Sequence, residues 1–447
     1  MLRFVYKYLE MIKNKKNNMY RLLFSLIILV FLFSSCNVNE EDKTLLEKLN
    51  NLDGVTVAKI ETLPGFAECF QIDFTQPVDH NNPNGASFKQ RFFLSHREAK
   101  SPTVFYTTGY GVSRNSEKDL TSVVQGNQLL LVHRYFPNAI PSKDWQFLTI
   151  WQAASDQHRI KEIFKEIYTG KWVSSGGSKG GMTALFYRYY FPDDMDATVA
   201  YVAPIMSTSD DLRFEKYLQE IGTEECRNKI KEFQRMVLSK RDNIMPLLET
   251  HIQNKGYEFS FISKEAAFEY SVLEFMFAFW QYGQESGCGS IPTGQTDISD
   301  EELLNYLLQI SPVSFYADNG FNYYKPLFYQ AYTEIGYCTF VYSHLKDLLK
   351  TVKNPTYRAF APQGVALNFQ PGIMQSVIPW LEQHGEKILY LYGEIDPWSA
   401  GAIRPDPNLD SLMIMQPGAN HRIRINDLDK KDLIIQTLNR WLDISIY

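Results

Sequence analysis

Between an apolar run at residues 172–175 and an amphipathic run that begins near Gly180, the chain reads Gly176-Gly177-Ser178-Lys179-Gly180. A strand that reverses into a helix across a single serine has few backbone solutions. Side chains two residues to either side would collide in so sharp a turn, which is why glycines flank it. The turn places the hydroxyl at the carboxyl end of a strand and beside a helix N-terminus, whose N–H groups favour developing negative charge. The spacing therefore predicts a nucleophile elbow with Ser178 as the nucleophile. The same letters also occur in glycine-rich turns without chemistry. It is the strand before and the helix after that favour the elbow.

The surrounding pattern is that of an α/β sheet. Residues 55–61, 66–74 and 88–96 are short β-rich runs parted by Pro, Gly and Asn clusters, as in antiparallel strands. Residues 103–107 and 128–135 are compact apolar strands, and 154–169 carries Ile160, Ile163, Phe164 and Ile167 at helical spacing. Strand 172–175, helix 180–190 and strand 197–204 follow, and such alternation predicts parallel pairing. Beyond this the register changes to helical periodicity, with runs at 212–221, 229–248 and 264–280 and a Gly-rich break at 283–294. Strands return at 387–392 and 412–415. Residues 427–442 close the chain as a helix with Ile434, Leu438, Trp441 and Leu442 facing inward. The architecture expected is an α/β-hydrolase fold, with a sheet domain at 51–208 and 383–447 and a large helical cap inserted at 209–382.

A serine needs a base, and the base an orienting acid. In the α/β-hydrolase order these follow as carboxylate, then histidine. Strand 387–392 runs into Gly393-Glu394-Ile395-Asp396-Pro397-Trp398, and strand 412–415 into Gln416-Pro417-Gly418-Ala419-Asn420-His421. Of eight histidines only His421 lies after the last strand. Ser178, Asp396 and His421 are the expected triad, with Glu394 the alternative acid and His133 and His158 read as structural. The oxyanion donors expected are the N–H groups of Lys179 and Tyr110, the latter in the turn Thr108-Gly109-Tyr110-Gly111 after strand 103–107. No metal or other cofactor is expected, because the cysteines are too widely spaced for a zinc site and no histidine cluster accompanies them.

The N-terminus reads as a targeting segment, residues 1–35. Lys13, Lys15, Lys16 and Arg21 precede an apolar run at 22–33, shorter than the roughly 20 residues a spanning helix needs. It ends in Phe33-Ser34-Ser35-Cys36, similar to a bacterial lipobox, so Cys36 is the expected lipidation site and residues 36–50 a tether. The expected location is extracytoplasmic, with the membrane touched only through that lipid. Export permits disulfides among Cys69, Cys226, Cys288 and Cys338, whose pairing the sequence leaves open. Hydrophobic residues at 45% and charged residues at 21% exclude a disordered chain, and a net charge of -6 without a basic stripe argues against nucleic acid as a partner.

Several separate segments carry a resemblance. Phe74-Thr75-Gln76-Pro77-Val78-Asp79-His80 with Phe88-Lys89-Gln90-Arg91-Phe92 resembles an opening shared by two serine exopeptidase families, the lysosomal prolyl carboxypeptidases and the bacterial secreted tripeptidyl aminopeptidases. Leu148 to Ala154, Asp156-Gln157-His158-Arg159, Gly177 to Thr183, Asp396-Pro397-Trp398-Ser399 and His421 are more similar to the bacterial family, serine peptidase family thirty-seven. The resemblance implies peptide substrates and release of short, often proline-ended peptides from free N-termini. One departure is Val132, where the resemblance implies a glutamate that would support the oxyanion loop. The cap segment Phe328 to Tyr337 resembles a Tyr-Gln-x-x-Thr-Glu segment of the prolyl exopeptidases. It makes Glu334 the candidate partner for a substrate ammonium, with Tyr329, Tyr332 and Tyr337 as candidate walls of a proline slot. The alternatives are that Glu334 caps a helix or pairs with a lysine, and that the tyrosines are core. A triad alone does not separate an amide from an ester. A carboxylesterase, and a non-catalytic peptide-binding surface lipoprotein, remain open at this level.

Overall fold

Strands whose side chains alternate between water and core come first. β1 (Val55–Ile60), β2 (Glu68–Pro77) and β3 (Ser87–His96) pair antiparallel in sequence order, with Phe74 opposite Val55 and Phe88 opposite Gln76. The next strands are short and buried along nearly their whole length: β4 (Thr103–Thr107), β5 (Asn127–Leu131), β6 (Trp172–Gly177), β7 (Ala197–Tyr201) and β8 (Ile388–Gly393). Continuous apolar strands of this kind suit a parallel sheet covered on both faces. With β9 (Leu412–Gln416) they complete a nine-stranded sheet in the order β1-β2-β3-β5-β4-β6-β7-β8-β9, parallel from β5 to β9. This computed structural model describes residues 43–446 apart from Thr296, together with Lys7. Lys7 apart, the targeting segment lies outside the described residues, and so does Cys36. A separate short unit ending at Leu52 holds α1 (Leu45–Asn50), which opens on a capping box between Thr44 and Glu47.

Helices cover both faces of the sheet. On one side α2 (Asp119–Val124) and the closing helix (Lys431–Leu442) bury Leu120, Ile434, Leu438 and Trp441 against Val104, Val199 and Leu391. On the other lie α3 (Ile150–Phe164) and α4 (Lys179–Tyr190), the helix that leaves the elbow. The periodicity placed α3 at 154–169, four residues late. Its first turns carry Gln152, Ser155, Asp156 and Gln157, all buried. Asp156 receives the Arg134 guanidinium at 2.7 and 2.8 Å and contacts His80 Nε2 at 2.8 Å, so polar residues face inward and mask the apolar stripe. Strand β5 likewise stops at Leu131 rather than 135: the His133 N–H turns to Tyr110 O at 3.0 Å, off the sheet, and Tyr135 takes a φ of +70°.

The inserted cap comprises α5 (Arg213–Glu220), α6 (Glu224–Ser239), α7 (Arg241–Lys255), α8 (Lys264–Tyr282), α9 (Asp300–Ile310) and α10 (Asp318–Gln330). The run expected at 229–248 is thus two helices, broken at Lys240. Apolar on nearly all sides, α8 is the buried axis of the cap. Cys226 at the start of α6 is joined to Cys288 in the turn after α8, with 5.3 Å between Cα atoms, while Cys69 and Cys338 are buried thiols. One apolar core runs without interruption from Met182, Leu185 and Tyr390 on the sheet side to Phe233, Phe275 and Trp280 in the cap. The cap therefore shares its core with the sheet domain. Helix α11 (Pro371–Gln383), which follows the cap helices, packs on both α4 and residues 331–335, and Trp380 meets Tyr189 edge to face, so it bridges the cap and the sheet layer. The remaining helix, Lys431–Leu442, is α12.

Candidate active site

The elbow is built from backbone contacts too close for side chains. A Cβ on Gly176 would lie 2.3 Å from the Gly180 carbonyl carbon, and one on Gly180 would lie 2.2 Å from Thr107 O. Ser178 takes a φ of +55° and ψ of −126°, a conformation that typically costs about 1–3 kcal/mol in a residue with a side chain. Its N–H donates to Tyr201 O at 2.9 Å and its carbonyl accepts from Met182 N–H at 3.0 Å, so strand β7 and helix α4 hold the strained residue from both sides.

Asp396 and His421 come together from the loops after β8 and β9. Asp396 is fully buried; Oδ1 accepts the Trp398 N–H at 3.1 Å and Oδ2 lies 2.6 Å from His421 Nδ1. With Nδ1 committed to the carboxylate, Nε2 is the nitrogen left to take a proton. His421 and Ser178 line one cavity of about 260 Å³. The cap reaches over to fix the histidine loop. His421 N–H donates to Gln281 O at 3.0 Å, Asn420 Nδ2 to Gly283 O at 2.7 Å, and Tyr282 stands edge-on to the imidazole. Nothing local in the sequence marks these contacts, since they join residues more than a hundred positions apart.

The other titratable candidates are placed elsewhere. Glu394 is exposed and accepts the Gly418 N–H at 2.9 Å. His133 is buried with Nδ1 2.8 Å from Arg134 O, and burial pushes it well below the ordinary imidazole range. His158 pairs with Asp194 at 2.7 Å and stacks on Phe191.

The turn 108–111, expected to supply an oxyanion donor, is held by the Lys179 side chain and the His133 N–H, roles that carry no local sequence signal. Lys179 opens α4, so its N–H has no acceptor within the helix. The Tyr110 N–H donates to Thr108 Oγ1 at 3.1 Å, so in this state the expected second donor is engaged within its own turn. His133 N–H holds Tyr110 O at 3.0 Å, and Lys179 Nζ donates to Gly109 O at 2.9 Å. That carbonyl and the Tyr110 N–H belong to one peptide plane, so the lysine sets where the N–H points. Val132 is buried among Val78, Phe88, Phe136 and Ala139 and gives the loop no polar support. Burial alone pushes the Lys179 ammonium down to about 7. Lys179→Met keeps the backbone donor and removes only the clamp. It is expected to lower kcat by up to about 10²-fold, the cost of a group displaced by an ångström, with little change in KM. An unchanged kcat would show that the clamp is dispensable.

In the cap, residues 331–335 follow α10 as a single wide turn in which Glu334 is buried. Its Oε2 accepts the Ile150 N–H at 2.8 Å, so it caps α3, one of the two bland alternatives. No lysine or arginine pairs with it among the described residues. Burial pushes its carboxyl up to about 7, and the Ile150 N–H opposes this only in part. Gln330 and Ile335, on either side of Glu334, line a small cavity with Lys179, Met182 and Thr183 of α4, which sets this segment against the elbow helix. Tyr329 is half-buried against Trp145, and its phenol is raised by burial and by the Glu334 charge. Tyr337 is buried between Phe328, Tyr357 and Trp398, within the shared core.

Comparison with known proteins adds to this geometry. The family model described as PS-10 peptidase S37 matches residues 41–445. The prolyl tri/tetrapeptidyl aminopeptidase of Streptomyces mobaraensis is 37% identical over 381 residues, 83% of this chain and 80% of that protein. The human lysosomal Pro-X carboxypeptidase is 28% identical over 172 residues, 33% of this chain and 35% of that one. Among solved structures, a proline iminopeptidase from Mycobacterium smegmatis aligns over 83% of this chain and 98% of its own, with a TM-score of 0.40 and 12% identity.

Proposed function

The chain belongs to the PS-10 peptidase S37 family and is a serine peptidase, and on that premise we propose that it is an exported aminopeptidase releasing tri- or tetrapeptides, often proline-ended, from free N-termini. The observation that carries the mechanism is the Asp396–His421 contact of 2.6 Å opening on the same cavity as Ser178. Ser178 attacks the scissile carbonyl while His421 Nε2 takes its proton and then passes it to the leaving amine. The acyl-enzyme is hydrolysed by water through the same base. Charge on the tetrahedral oxygen falls to the Lys179 N–H and, once Thr108 releases it, to the Tyr110 N–H.

Counting from the N-terminus needs an anion at a fixed distance from the nucleophile. Glu334 is buried, has no counter-cation among the described residues and is flanked by Gln330 and Ile335, which share a small cavity with the elbow helix, and this supports a role in pairing with the substrate ammonium. Breaking a buried pair of this kind costs about 3–5 kcal/mol, which is on the order of 10²–10⁴-fold in kcat/KM. A matched pair of proline peptides, one with a free amine and one acetylated, tests it. Acetylation and Glu334→Gln on the free peptide should each cause that loss, and the two should not compound. The carboxyl must be ionised to pair, and it is protonated below about 7 in the free protein. Activity on the free-amine peptide should therefore rise through that pH, and Glu334→Gln should flatten the rise. Equal rates on both peptides would move the protein toward an endopeptidase. Preference for simple acyl esters over either would favour a carboxylesterase.

Export as a lipoprotein is part of the same proposal, supported by the apolar run 22–33 followed by Ser34-Ser35-Cys36. Inhibition of lipoprotein signal peptidase by globomycin should leave an uncleaved precursor, and normal processing in its presence would refute the anchor.

A further inference from the structure

We infer that the side of Ser178 turned away from the cap carries a carboxylate-binding subsite for the leaving peptide, formed by Lys118 and Arg424. The inference deepens the aminopeptidase reading and rests on it. The cavity of about 260 Å³ shared by Ser178 and His421 also has Tyr106, Lys118 and Arg424 in its wall, and all of its lining lies at or before Val202 or from His421 onward. No cap residue contributes. The proposed amine anchor, Glu334, is in the cap, so the acyl half of a substrate lies on the cap side. The half that departs with a proton from His421 must then face this cavity. Its volume lies below the usual range for a drug-sized ligand, which suits a short segment of peptide.

The wall has cations to spare. Lys118 Nζ donates to Ser116 Oγ at 2.8 Å and lies 5.5 Å from the Tyr106 ring centroid, while an Arg424 guanidinium nitrogen donates to the neighbouring Ile423 O at 2.8 Å. Among the described residues neither forms an ion pair. Of the two acids of the same wall, Glu117 pairs with Arg97 at 2.7 Å, while Asp119 accepts from Tyr201 Oη at 2.9 Å and from Ile425 N–H at 3.0 Å and forms no ion pair among the described residues, so the wall keeps two cations against one carboxylate. Burial and the positive charge of Arg424 both push the Lys118 ammonium below its ordinary value, as expected of two cations that share one cavity wall. A carboxylate placed there would relieve that repulsion and accept charge-assisted hydrogen bonds from both. It can come from the free C-terminus of a substrate that ends just past the scissile bond, or from an Asp or Glu side chain at the first departing residue.

Four peptides separate these sources: Ala-Ala-Pro-Ala as the free acid and as the C-terminal amide, and Ala-Ala-Pro-Asp-amide against Ala-Ala-Pro-Asn-amide. With the full-length protein, kcat/KM is expected to favour the carboxylate member of at least one pair by about tenfold, the scale of one charge-assisted hydrogen bond. The preference should shrink as salt is raised. Preference within the first pair alone identifies the main-chain carboxylate, and within the second alone the side chain. Arg424→Gln and Lys118→Met should each bring the acid-to-amide ratio toward one. The ratio is the readout, so a variant that lowers both rates while keeping the ratio contradicts the subsite. Equal rates within both pairs by the unmodified protein, with the peptides still cut after proline, overturn this inference and leave the aminopeptidase reading standing. Cleavage of none of the four overturns both.

Discussion

Ser178→Ala is expected to lower kcat on every peptide substrate by about 10⁵–10⁶-fold and to abolish labelling by a fluorophosphonate probe. Removing the nucleophile of a triad leaves only what binding and the oxyanion hole contribute, on the order of 10³–10⁴ over the uncatalysed reaction. The substitution trims one oxygen and keeps the Cβ, so the turn at a φ of +55° and its contacts with Tyr201 O and Met182 N–H are retained. Loss of activity would therefore report chemistry rather than unfolding, and an unchanged thermal midpoint would confirm it. Substantial turnover by the variant would remove Ser178 from the mechanism. Probe labelling of the unmodified protein without turnover of any peptide or ester would instead point to a binding protein with a relict site.

Asp396→Asn is expected to cost about 10⁴-fold in kcat. Asp396 is fully buried and holds His421 Nδ1 at 2.6 Å. An asparagine amide turned toward that nitrogen would donate to it, shift the ring proton to Nε2 and leave no acceptor for the serine proton. Size and packing are conserved, and the Trp398 N–H keeps an oxygen to donate to. Glu394→Gln is the matched control. Glu394 is exposed and engaged with Gly418 N–H, so its loss should change kcat by no more than a few fold. The reverse order of effects would transfer the acid's role to Glu394.

Which features could be read from sequence follows from how local their causes are. Strands β4, β6, β7 and β8 are short apolar runs that must be buried on both faces, and the sequence boundaries miss the observed ones by no more than about three residues. The elbow is equally local, because its glycines are required by contacts within the turn and with the adjacent strand. The start of α3 was hidden because Asp156 faces inward toward Arg134 and His80, partners that are 22 and 76 residues away. The disulfide pairing depended on how α6 and the turn after α8 pack, which no spacing encodes. The Lys179 clamp was invisible for a related reason. A lysine between a serine and a glycine reads as solvated, whereas here α4 turns it inward beneath Gly109 O. Glu334 shows the limit most clearly. Its capping of α3 joins residues 184 positions apart, and only that contact reveals a carboxylate that is buried, capped and, among the described residues, without a cation.

An aminopeptidase of this kind must measure from a free N-terminus. Mass spectrometry of the products from a peptide with one proline at its third position, compared with the same peptide lengthened by five residues at the N-terminus, reads this directly. The prediction is one cut after the proline of the first peptide, releasing a tripeptide, and near-complete loss of that cut in the second. Shortening or lengthening the other end by several residues should leave the position of the cut unchanged. Cleavage after the proline at similar rates in both peptides, wherever it stands relative to the N-terminus, would contradict the account.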